Sequence, residues 1–437
     1  MTETISGLTA TLIPDQRQAA ASVGFRERLL LFIAGLFLLI SYSGLIMAQN
    51  RNMMNYWPVA VWAICAVAGH IILRRTLPRR DPFLFPVMML LAGWGLALID
   101  RLAPPFAIRQ TAWLVISVAA LLVIATSPGN LRWLSRYRYL WLTGGLVLLT
   151  LTIILGTNPS GGGPRLWLSI LGLYFQPSEL LKVLLVVFLA SYLADNRVLL
   201  KLDKPRFGPL HLPPMRFLSP LLLMWGVCIV VLVWQQDLGT ATLFFLVFLA
   251  MLYVASGQIG YVLAGALMLI LAGALAYQFF GVVRLRFNVW IDPWPQSGNQ
   301  SFQIVQSLLA FSAGGVFGQG IAQGSPTYIP VVHSDFIFAA IAEEWGLIGT
   351  LVVTACLALL ILRGMRLAAR TQSRPFRSFL AAGISITLAI QSLLIMMGVL
   401  KIIPLTGITL PFLSYGGSSL LTYFLMVGLL IVLSGEA

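Results

Sequence analysis

The chain is a series of apolar runs of about 20 residues that are separated by short polar segments. A bilayer core needs roughly 20 apolar helical residues to span it. Each run therefore predicts a membrane-spanning helix, and the series predicts an all-α polytopic membrane protein. The twelve predicted spans are residues 29–49, 56–73, 84–100, 111–127, 139–156, 177–194, 217–235, 239–256, 259–280, 336–362, 379–400 and 416–433.

Lys and Arg residues are distributed unevenly between the two sides of these spans. With residues 1–28 as a cytoplasmic tail, 20 of the 28 Lys and Arg lie in inner segments and 7 in outer segments. Short cytoplasmic loops carry an excess of positive charge. The pattern predicts that both termini are cytoplasmic and that residues 281–335 form a large extracytoplasmic loop between the ninth and tenth helices.

The composition supports a membrane protein and excludes a soluble one. Only 10% of the residues are charged, with a mean hydropathy of +0.91, whereas soluble domains carry about 25% charged residues. The net charge of +14 does not indicate a nucleic-acid partner, because the cations lie in short loops between spans. Cys65, Cys228 and Cys356 all fall inside apolar runs, which indicates buried thiols and no disulfide or metal framework.

The predicted outer loop concentrates the charged and polar groups of the chain. Long polar loops in compact proteins are commonly functional. Its glycines at 314, 315, 318 and 320 are predicted to let the backbone approach a ligand closely. A structural role remains open for Asp292, as a turn carboxylate before Pro293, and for His333, in ordering the loop. The candidate binding residues of this segment are Arg284, Arg286, His333 and Asp335.

Two charged residues lie inside the sixth predicted span. Glu179 and Lys182 are three residues apart, so they share a helix face and can neutralise each other. An intramembrane charge is costly unless it is paired or hydrated. The two interpretations are a structural ion pair between helices and a hydrated cavity inside the bundle.

Three further positions outside that span are candidates for substrate binding. Arg165 follows a run of glycines in an outer loop and could hold a phosphate or cap a helix. Asp237 is wedged between two spans, and we expect an Arg or Lys of a neighbouring outer loop as its partner. Prolines, glycines and hydroxyls interrupt the spans between residues 404 and 419, which predicts that Ser414 and its neighbours line a cavity.

Four stretches of the sequence together resemble the SEDS family (shape, elongation, division and sporulation), which includes RodA, FtsW and SpoVE. The hallmark Gln-Pro-Ser-Glu-x-x-Lys is matched at 176–182, and Gln-Pro-Asp-Leu-Gly-Thr is matched at 235–240 except for Gln236. The hallmark His-Thr-Asp-Phe-Ile-Phe-Ala…Glu-Glu-x-Gly is matched at 333–346 with Ser334 in place of Thr. The hallmark Leu-Pro-Phe-x-Ser-Tyr-Gly-Gly-Ser-Ser is matched at 410–419. The resemblance implies a ten-helix SEDS core at 84–437, preceded by two additional helices at 29–83.

The resemblance also implies an activity. Members of this family are peptidoglycan glycosyltransferases of the bacterial cytoplasmic membrane, which act in cell elongation or division. They polymerise lipid II, the undecaprenyl-pyrophosphoryl disaccharide-pentapeptide, with a class B penicillin-binding protein as the partner transpeptidase. No cofactor is implied with certainty, and a divalent cation is left open. Membrane lipids are the other expected partners.

One departure from the family pattern bears directly on the chemistry. The acid that the family carries in the outer loop aligns with Gln296, and an amide cannot act as a general base. Asp292 is the nearest carboxylate and is the candidate replacement, with Asp335 and Glu343 as the alternatives. The alternatives are a lipid II binding or flipping protein and a catalytically silent scaffold of the wall-synthesis complex. Likewise, Arg284 and Arg286 could clamp the pyrophosphate or anchor the ninth span to headgroups.

Overall fold

The computed structural model describes residues 3–127, 131–158, 165–170, 173–197, 206–207, 210–211, 222, 226, 229–230, 233–299 and 301–436. Within these ranges, eleven helices are long and apolar enough to cross a membrane. They correspond to eleven of the twelve predicted spans, and the remaining one, 217–235, lies mostly outside the described residues. The prediction of an all-α polytopic membrane protein is confirmed.

The helices are numbered here in chain order, over the described part of the chain only. They are α1 Glu3–Ala48, α2 Trp57–Thr76, α3 Leu84–Leu102, α4 Ala107–Thr126, α5 Arg132–Arg136, α6 Arg138–Leu155, α7 Pro177–Asp195, α8 Leu238–Ser256, α9 Ile259–Phe279, α10 Gly281–Ile291, α11 Phe302–Gly314, α12 Ile337–Arg370, α13 Pro375–Val399 and α14 Gly417–Gly435. Short 3₁₀ helices cover Met53–Tyr56, Pro104–Phe106, Trp294–Gln296 and Pro326–Tyr328. Two antiparallel strand pairs are present, β1 Leu168–Ile170 with β2 Leu173–Phe175 and β3 Arg206–Phe207 with β4 Leu210–His211.

The first helix begins ahead of its predicted span. Residues 1–28 are predicted as a cytoplasmic tail, and α1 is continuous from Glu3 through this segment into the span. The stretch 16–21 reads Gln-Arg-Gln-Ala-Ala-Ala. All of these residues favour helix strongly, so the polar segment continues the helix of the span behind it.

The centre of the bundle is formed by α3, α7, α13 and α14, whose side chains are mostly buried. Small residues allow close contact between its segments, as is common between membrane helices. A Cβ added at Gly95 of α3 would lie 2.7 Å from the carbonyl oxygen of Phe412, and one at Gly417 would meet the Trp113 indole. These two glycines therefore hold the segment before α14 against α3 and α4.

The two N-terminal helices are tied to the rest of the bundle at both faces. At one face Glu27 of α1, which has no exposed surface, accepts from Arg80 at 2.6 Å and lies 2.8 Å from Nδ1 of His70. At the other face Arg51 pairs with Asp100 at 3.0 Å. A buried charge that loses its partner destabilises a protein strongly, so these pairs fix α1 and α2 against α3.

Helix α12 is interrupted at Gly346, where the backbone has φ 67° and ψ −164°. The glycine loop after α11 fills this break: Gln319 N donates to the carbonyl of Glu343 at 2.9 Å, and Leu347 N donates to Gly315 at 3.0 Å. A Cβ at Gly318 would lie 2.3 Å from the carbonyl oxygen of Glu344. The close approach at Gly314 and Gly318 is thus to the backbone of α12, whose freed groups need partners, and the approach of a ligand to this loop stays a prediction.

Candidate functional site

The four sequence motifs meet at one cavity of about 350 Å³, called here the motif cavity. It is lined by four of the candidate residues, Glu179, Asp237, His333 and Asp335. Among the other lining residues are Phe106, Arg109, Trp113, Tyr174, Gln176, Thr409, Tyr415, Ser418 and Ser419. Segments more than 200 residues apart in sequence thus present polar side chains to a single space inside a largely apolar bundle.

Glu179 and Lys182 form the predicted ion pair at the start of α7. Lys182 Nζ lies 2.8 Å from both carboxylate oxygens of Glu179 and donates to Gln391 Oε1 at 3.0 Å. The Lys182 ammonium also lies 5.8 Å from the centre of the Tyr423 ring. Glu179 faces the motif cavity while Lys182 is only 2% exposed, so the structural pair and the polar cavity occur together.

Asp237 has different partners from those predicted. Its Oδ2 accepts from the Ser178 hydroxyl at 3.2 Å and from Gln176 Nε2 at 3.5 Å, and its Oδ1 accepts from the backbone N of Thr240 at 3.2 Å. No Arg or Lys among the described residues forms an ion pair with it. The carboxylate caps the N-terminus of α8, where the helix dipole and unpaired N–H groups stabilise negative charge without a cation.

The segment before α14 positions the loop that carries His333 and Asp335. The Ser414 hydroxyl donates to the carbonyl of Ser334 at 2.6 Å and accepts from Leu410 N at 2.9 Å. Tyr415 N donates to the carbonyl of His333 at 2.8 Å. Ser414 is therefore buried behind the cavity wall, where it holds the loop in place and has no contact with the cavity space.

His333 belongs to an aromatic cluster at the edge of the motif cavity. Its ring centre lies 5.2 Å from that of Phe106 and 5.7 Å from that of Tyr415, and the last two rings stack at 4.5 Å. Burial lowers the pKa of His333. The imidazole is therefore neutral near pH 7, which suits stacking and hydrogen bonding better than charge transfer.

A second cavity of about 190 Å³, called here the side cavity, shares Asp335 with the motif cavity. Its cations are Arg286 and Lys401, and Nη1 of Arg286 donates to the Thr406 carbonyl at 3.1 Å. Burial raises the pKa of Asp335, with the Ser334 hydroxyl and Arg286 acting in the opposite direction. Asp335 is thus a carboxylate of increased basicity between a cationic space and a polar one.

Arg284 is separated from Arg286, contrary to the prediction that both hold one group. Its Nε and Nη2 donate to the carbonyls of Tyr277 and Gln278 at 3.3 and 2.9 Å. These carbonyls belong to the last turn of α9, so Arg284 caps that helix. A clamp made by both arginines needs the two side chains to point the same way, but α10 is a helix, on which residues two apart point in different directions.

Two other candidates, Asp292 and Arg165, lie outside both cavities. Asp292 is exposed at the end of α10, and its Oδ1 accepts from Trp294 N at 3.2 Å, as expected for a turn carboxylate. Arg165 is exposed and is not part of either cavity wall. Gln296 ends the short helix Trp294–Gln296 that follows α10.

Sequence reasoning missed three polar residues of these walls and networks. Arg109 lies in the motif cavity with its guanidinium 5.9 Å from the centre of the Tyr174 ring. Lys401 lies in the side cavity, and Gln391 joins Lys182 to the Thr409 carbonyl, to which its Nε2 donates at 2.9 Å. The only signal for the two cations is their place at the predicted outer ends of spans, while Gln391 is a lone amide in an apolar run.

Comparison with known proteins identifies relatives over nearly the whole chain. Residues 82–437 match the family model FtsW/RodA/SpoVE, described as cell cycle protein. The peptidoglycan glycosyltransferase RodA of Mycobacterium tuberculosis is 36% identical over 97% of this chain and 92% of its own length. The probable peptidoglycan glycosyltransferase FtsW of Geobacter sulfurreducens is 39% identical over 67% of this chain and 76% of its own length.

Two solved structures share the fold at 24% identity. One, described as the structural coordination of polymerization and crosslinking by a peptidoglycan synthase complex, has a TM-score of 0.67 over 82% of this chain and 98% of its own. The other, the rod shape determining protein RodA of Thermus thermophilus, has a TM-score of 0.58 over 81% and 96%. The motifs, the helix arrangement and these matches lead to one conclusion: the chain belongs to the FtsW/RodA/SpoVE family.

Proposed function

We propose that this protein polymerises peptidoglycan glycan strands from lipid II at the outer face of the bacterial cytoplasmic membrane. In this reaction a sugar hydroxyl of one lipid-linked glycan attacks the anomeric carbon of a second lipid-linked glycan. The bond from that carbon to the pyrophosphate breaks, the pyrophosphate leaves with the electron pair, and a base takes the hydroxyl proton. A protein catalyst must supply the base and cations for the leaving group.

The observation that carries this proposal is the arrangement of the two adjoining cavities around Asp335. The motif cavity offers hydroxyl, amide and aromatic groups of the kind that bind sugars, and the side cavity offers two cations. Asp335 lines both. It is the carboxylate best placed to take a proton from a hydroxyl held in one cavity while the pyrophosphate is held in the other.

We assign the base to Asp335 in preference to Asp292. Asp292 is exposed and already accepts a backbone hydrogen bond in its own turn. Asp335 is half-buried at the junction of the two cavities, burial raises its pKa, and it lies beside Gly407 in the wall of the motif cavity. This assignment removes the difficulty that Gln296 raises, because the base is then not carried by the loop position that the family pattern predicts.

The leaving pyrophosphate is assigned to Arg286 and Lys401. A guanidinium can bind two phosphate oxygens at once. Apolar side chains of Val282, Leu285 and Val289 on α10 share the cavity with the cations, which suits the junction between a lipid tail and its charged headgroup. No cofactor is part of the proposal.

We propose a crosslinking enzyme of the penicillin-binding protein class as the partner. The support is the solved synthase complex, whose description pairs polymerization with crosslinking.

The match to the mycobacterial RodA covers 97% of this chain. It therefore extends over the two N-terminal helices that precede the family model at 82–437.

A second candidate function is binding or transport of lipid II without polymerisation. The observation that favours it is Gln296 at the position of the family's loop acid. The decisive test is polymerisation of lipid II by the purified full chain with and without its transpeptidase. Glycan strands longer than the input disaccharide support the polymerase. Saturable lipid II binding with no strand product in either condition would instead assign the second function.

The arginine pair provides a test of the pyrophosphate site. We expect Arg286→Ala to weaken lipid II binding by about 10-fold or more, since about 1.4 kcal/mol of lost contact corresponds to that factor. The matched variant Arg284→Ala removes the same charge two residues away and should leave the dissociation constant nearly unchanged, because Arg284 only caps α9. Binding of fluorescent lipid II in one detergent measures both. Equal losses in the two variants would exclude the assignment to Arg286.

A further inference from the structure

A third cavity lies at the face of the bundle away from the motif cavity, and the proposed function does not use it. It has a volume of about 470 Å³ and is called here the basic cavity. Four elements meet there: α1 at Val23, the loop between α2 and α3, the last turns of α12, and the end of α14. Its charged lining residues are Arg79, Arg80, Asp81, Arg363, Arg366, Arg370 and Glu436.

The two carboxylates of this cavity are already neutralised by other arginines. Asp81 pairs with Arg363 at 3.2 Å, and Glu436 pairs with Arg377, outside the lining, at 2.6 Å. Arg80 is likewise engaged, since it is buried against Glu27.

Three arginines of the lining are left over after this pairing. Arg79, Arg366 and Arg370 line the cavity and are exposed. They form no ion pair with a carboxylate of the described residues. Arg366 and Arg370 are one turn apart on α12, a spacing at which like charges repel each other. The cavity therefore concentrates positive charge that an anion would relieve.

Two further arginines of the lining, Arg80 and Arg363, are engaged in the wall of the cavity. The Arg363 guanidinium lies 4.1 Å from the centre of the Phe83 ring while it pairs with Asp81. Arg80 is 1% exposed, and its Nε has no hydrogen-bond acceptor among the described residues. Arg80 and Arg363 thus join the N-terminal helices to the core beside the three exposed arginines.

We propose that the basic cavity binds the phosphate headgroup of an anionic membrane phospholipid. Guanidinium groups match phosphate oxygens in geometry and charge. The cavity lies at the ends of membrane-spanning helices, and Val23, Leu84 and Leu367 add an apolar wall beside the charges. Basic pockets between helix ends on the cytoplasmic side suit anionic headgroups, and the excess of Lys and Arg assigns this face to the cytoplasm.

The test compares lipids and variants of the full chain in nanodiscs and in detergent. Phosphatidylglycerol should bind at least about 10-fold more tightly than phosphatidylcholine, as measured by native mass spectrometry of bound lipid. Arg366→Gln with Arg370→Gln should lose about 10-fold or more of that preference, and Arg79→Gln a smaller part of it. The control is Arg132→Gln with Arg136→Gln, which removes two exposed arginines of α5 outside the cavity.

Three outcomes would overturn the proposal. The first is equal affinity for the two lipids. The second is equal loss of phosphatidylglycerol binding in the cavity variant and in the α5 control, which would reduce the effect to general surface charge. The third is displacement of the bound lipid by millimolar glycerol 3-phosphate or inorganic phosphate, which would identify a soluble phosphate as the occupant. Thermal midpoints in phosphatidylcholine that match the wild type would show that the variants are folded.

Discussion

Replacement of Asp335 by Asn is expected to abolish glycan strand formation. The amide has the shape of the carboxylate but cannot take the hydroxyl proton, and loss of a general base typically costs about 10²–10⁴-fold in rate. Lipid II binding should persist, because Arg286 and Lys401 remain in the side cavity. The measurement is the initial rate of strand formation by the purified variant with its transpeptidase, together with the lipid II dissociation constant.

The matched control for this prediction is Asp292→Asn, which should polymerise at nearly the wild-type rate. If Asp292→Asn were inactive and Asp335→Asn active, the base would be the turn carboxylate that the sequence first indicated. We do not expect this variant to unfold. Burial raises the pKa of Asp335, so its protonated form contributes to the stability of the folded state at low pH, and this contribution is lost as the pH rises through the raised pKa. The neutral Asn avoids the cost of burying an ionised carboxylate at neutral pH.

The same pKa shift predicts a pH profile. Only the ionised carboxylate can act as the base, so activity should fall as the pH decreases through the raised pKa of Asp335. The acidic limb of kcat/KM should therefore lie above the ordinary aspartate value of about 3.9. A limb at or below that value would contradict the assignment.

Removal of Glu179 alone is expected to cause a larger loss of folded protein than removal of the whole pair. Glu179→Ala leaves Lys182 charged inside the bundle, where its contacts within the described part of the chain are the Gln391 amide oxygen and the Tyr423 ring. Breaking one side of a buried pair typically costs about 3–5 kcal/mol, whereas apolar replacement of both partners is often tolerated. The measurement is the yield and thermal midpoint of Glu179→Ala against the double variant Glu179→Leu with Lys182→Met.

Two measurements separate a structural role of this pair from a role in the motif cavity. The double variant should recover much of the folded protein. Its lipid II binding reports separately on the motif cavity, since Glu179 lines that space. Equal loss of folded protein in the single and double variants would argue against the ion pair as the source of stability.

The positions of the helices and the gathering of the motifs followed from local properties of the sequence. Apolar runs of sufficient length can only be accommodated as helices in a bilayer, so the spans were predictable one by one. Glu179 and Lys182 were predictable because their contact depends on helical spacing alone. The convergence of the four motifs on one cavity agrees with their predicted position on the same side of the membrane.

The partners of several site residues depended on contacts that no local pattern specifies. Arg284 and Arg286 were assigned together because the helix α10 inside the predicted loop was not foreseen. Asp237 was expected to need a cation, but a helix N-terminus and the Ser178 hydroxyl satisfy it. The glycines near Gly318 were interpreted for their backbone freedom, while their use depends on the break at Gly346, some thirty residues later in the chain.

The ion pairs of the N-terminal helices also have a consequence for the order in which the chain is made. Membrane helices leave the ribosome from the N-terminus onward, and both partners of Glu27, His70 and Arg80, precede α3. The nascent hairpin of α1 and α2 can therefore neutralise Glu27 before any core helix has been synthesised. Arg51 must wait for Asp100 at the far end of α3, so the insertion of the third helix is the step that locks the hairpin at its other face.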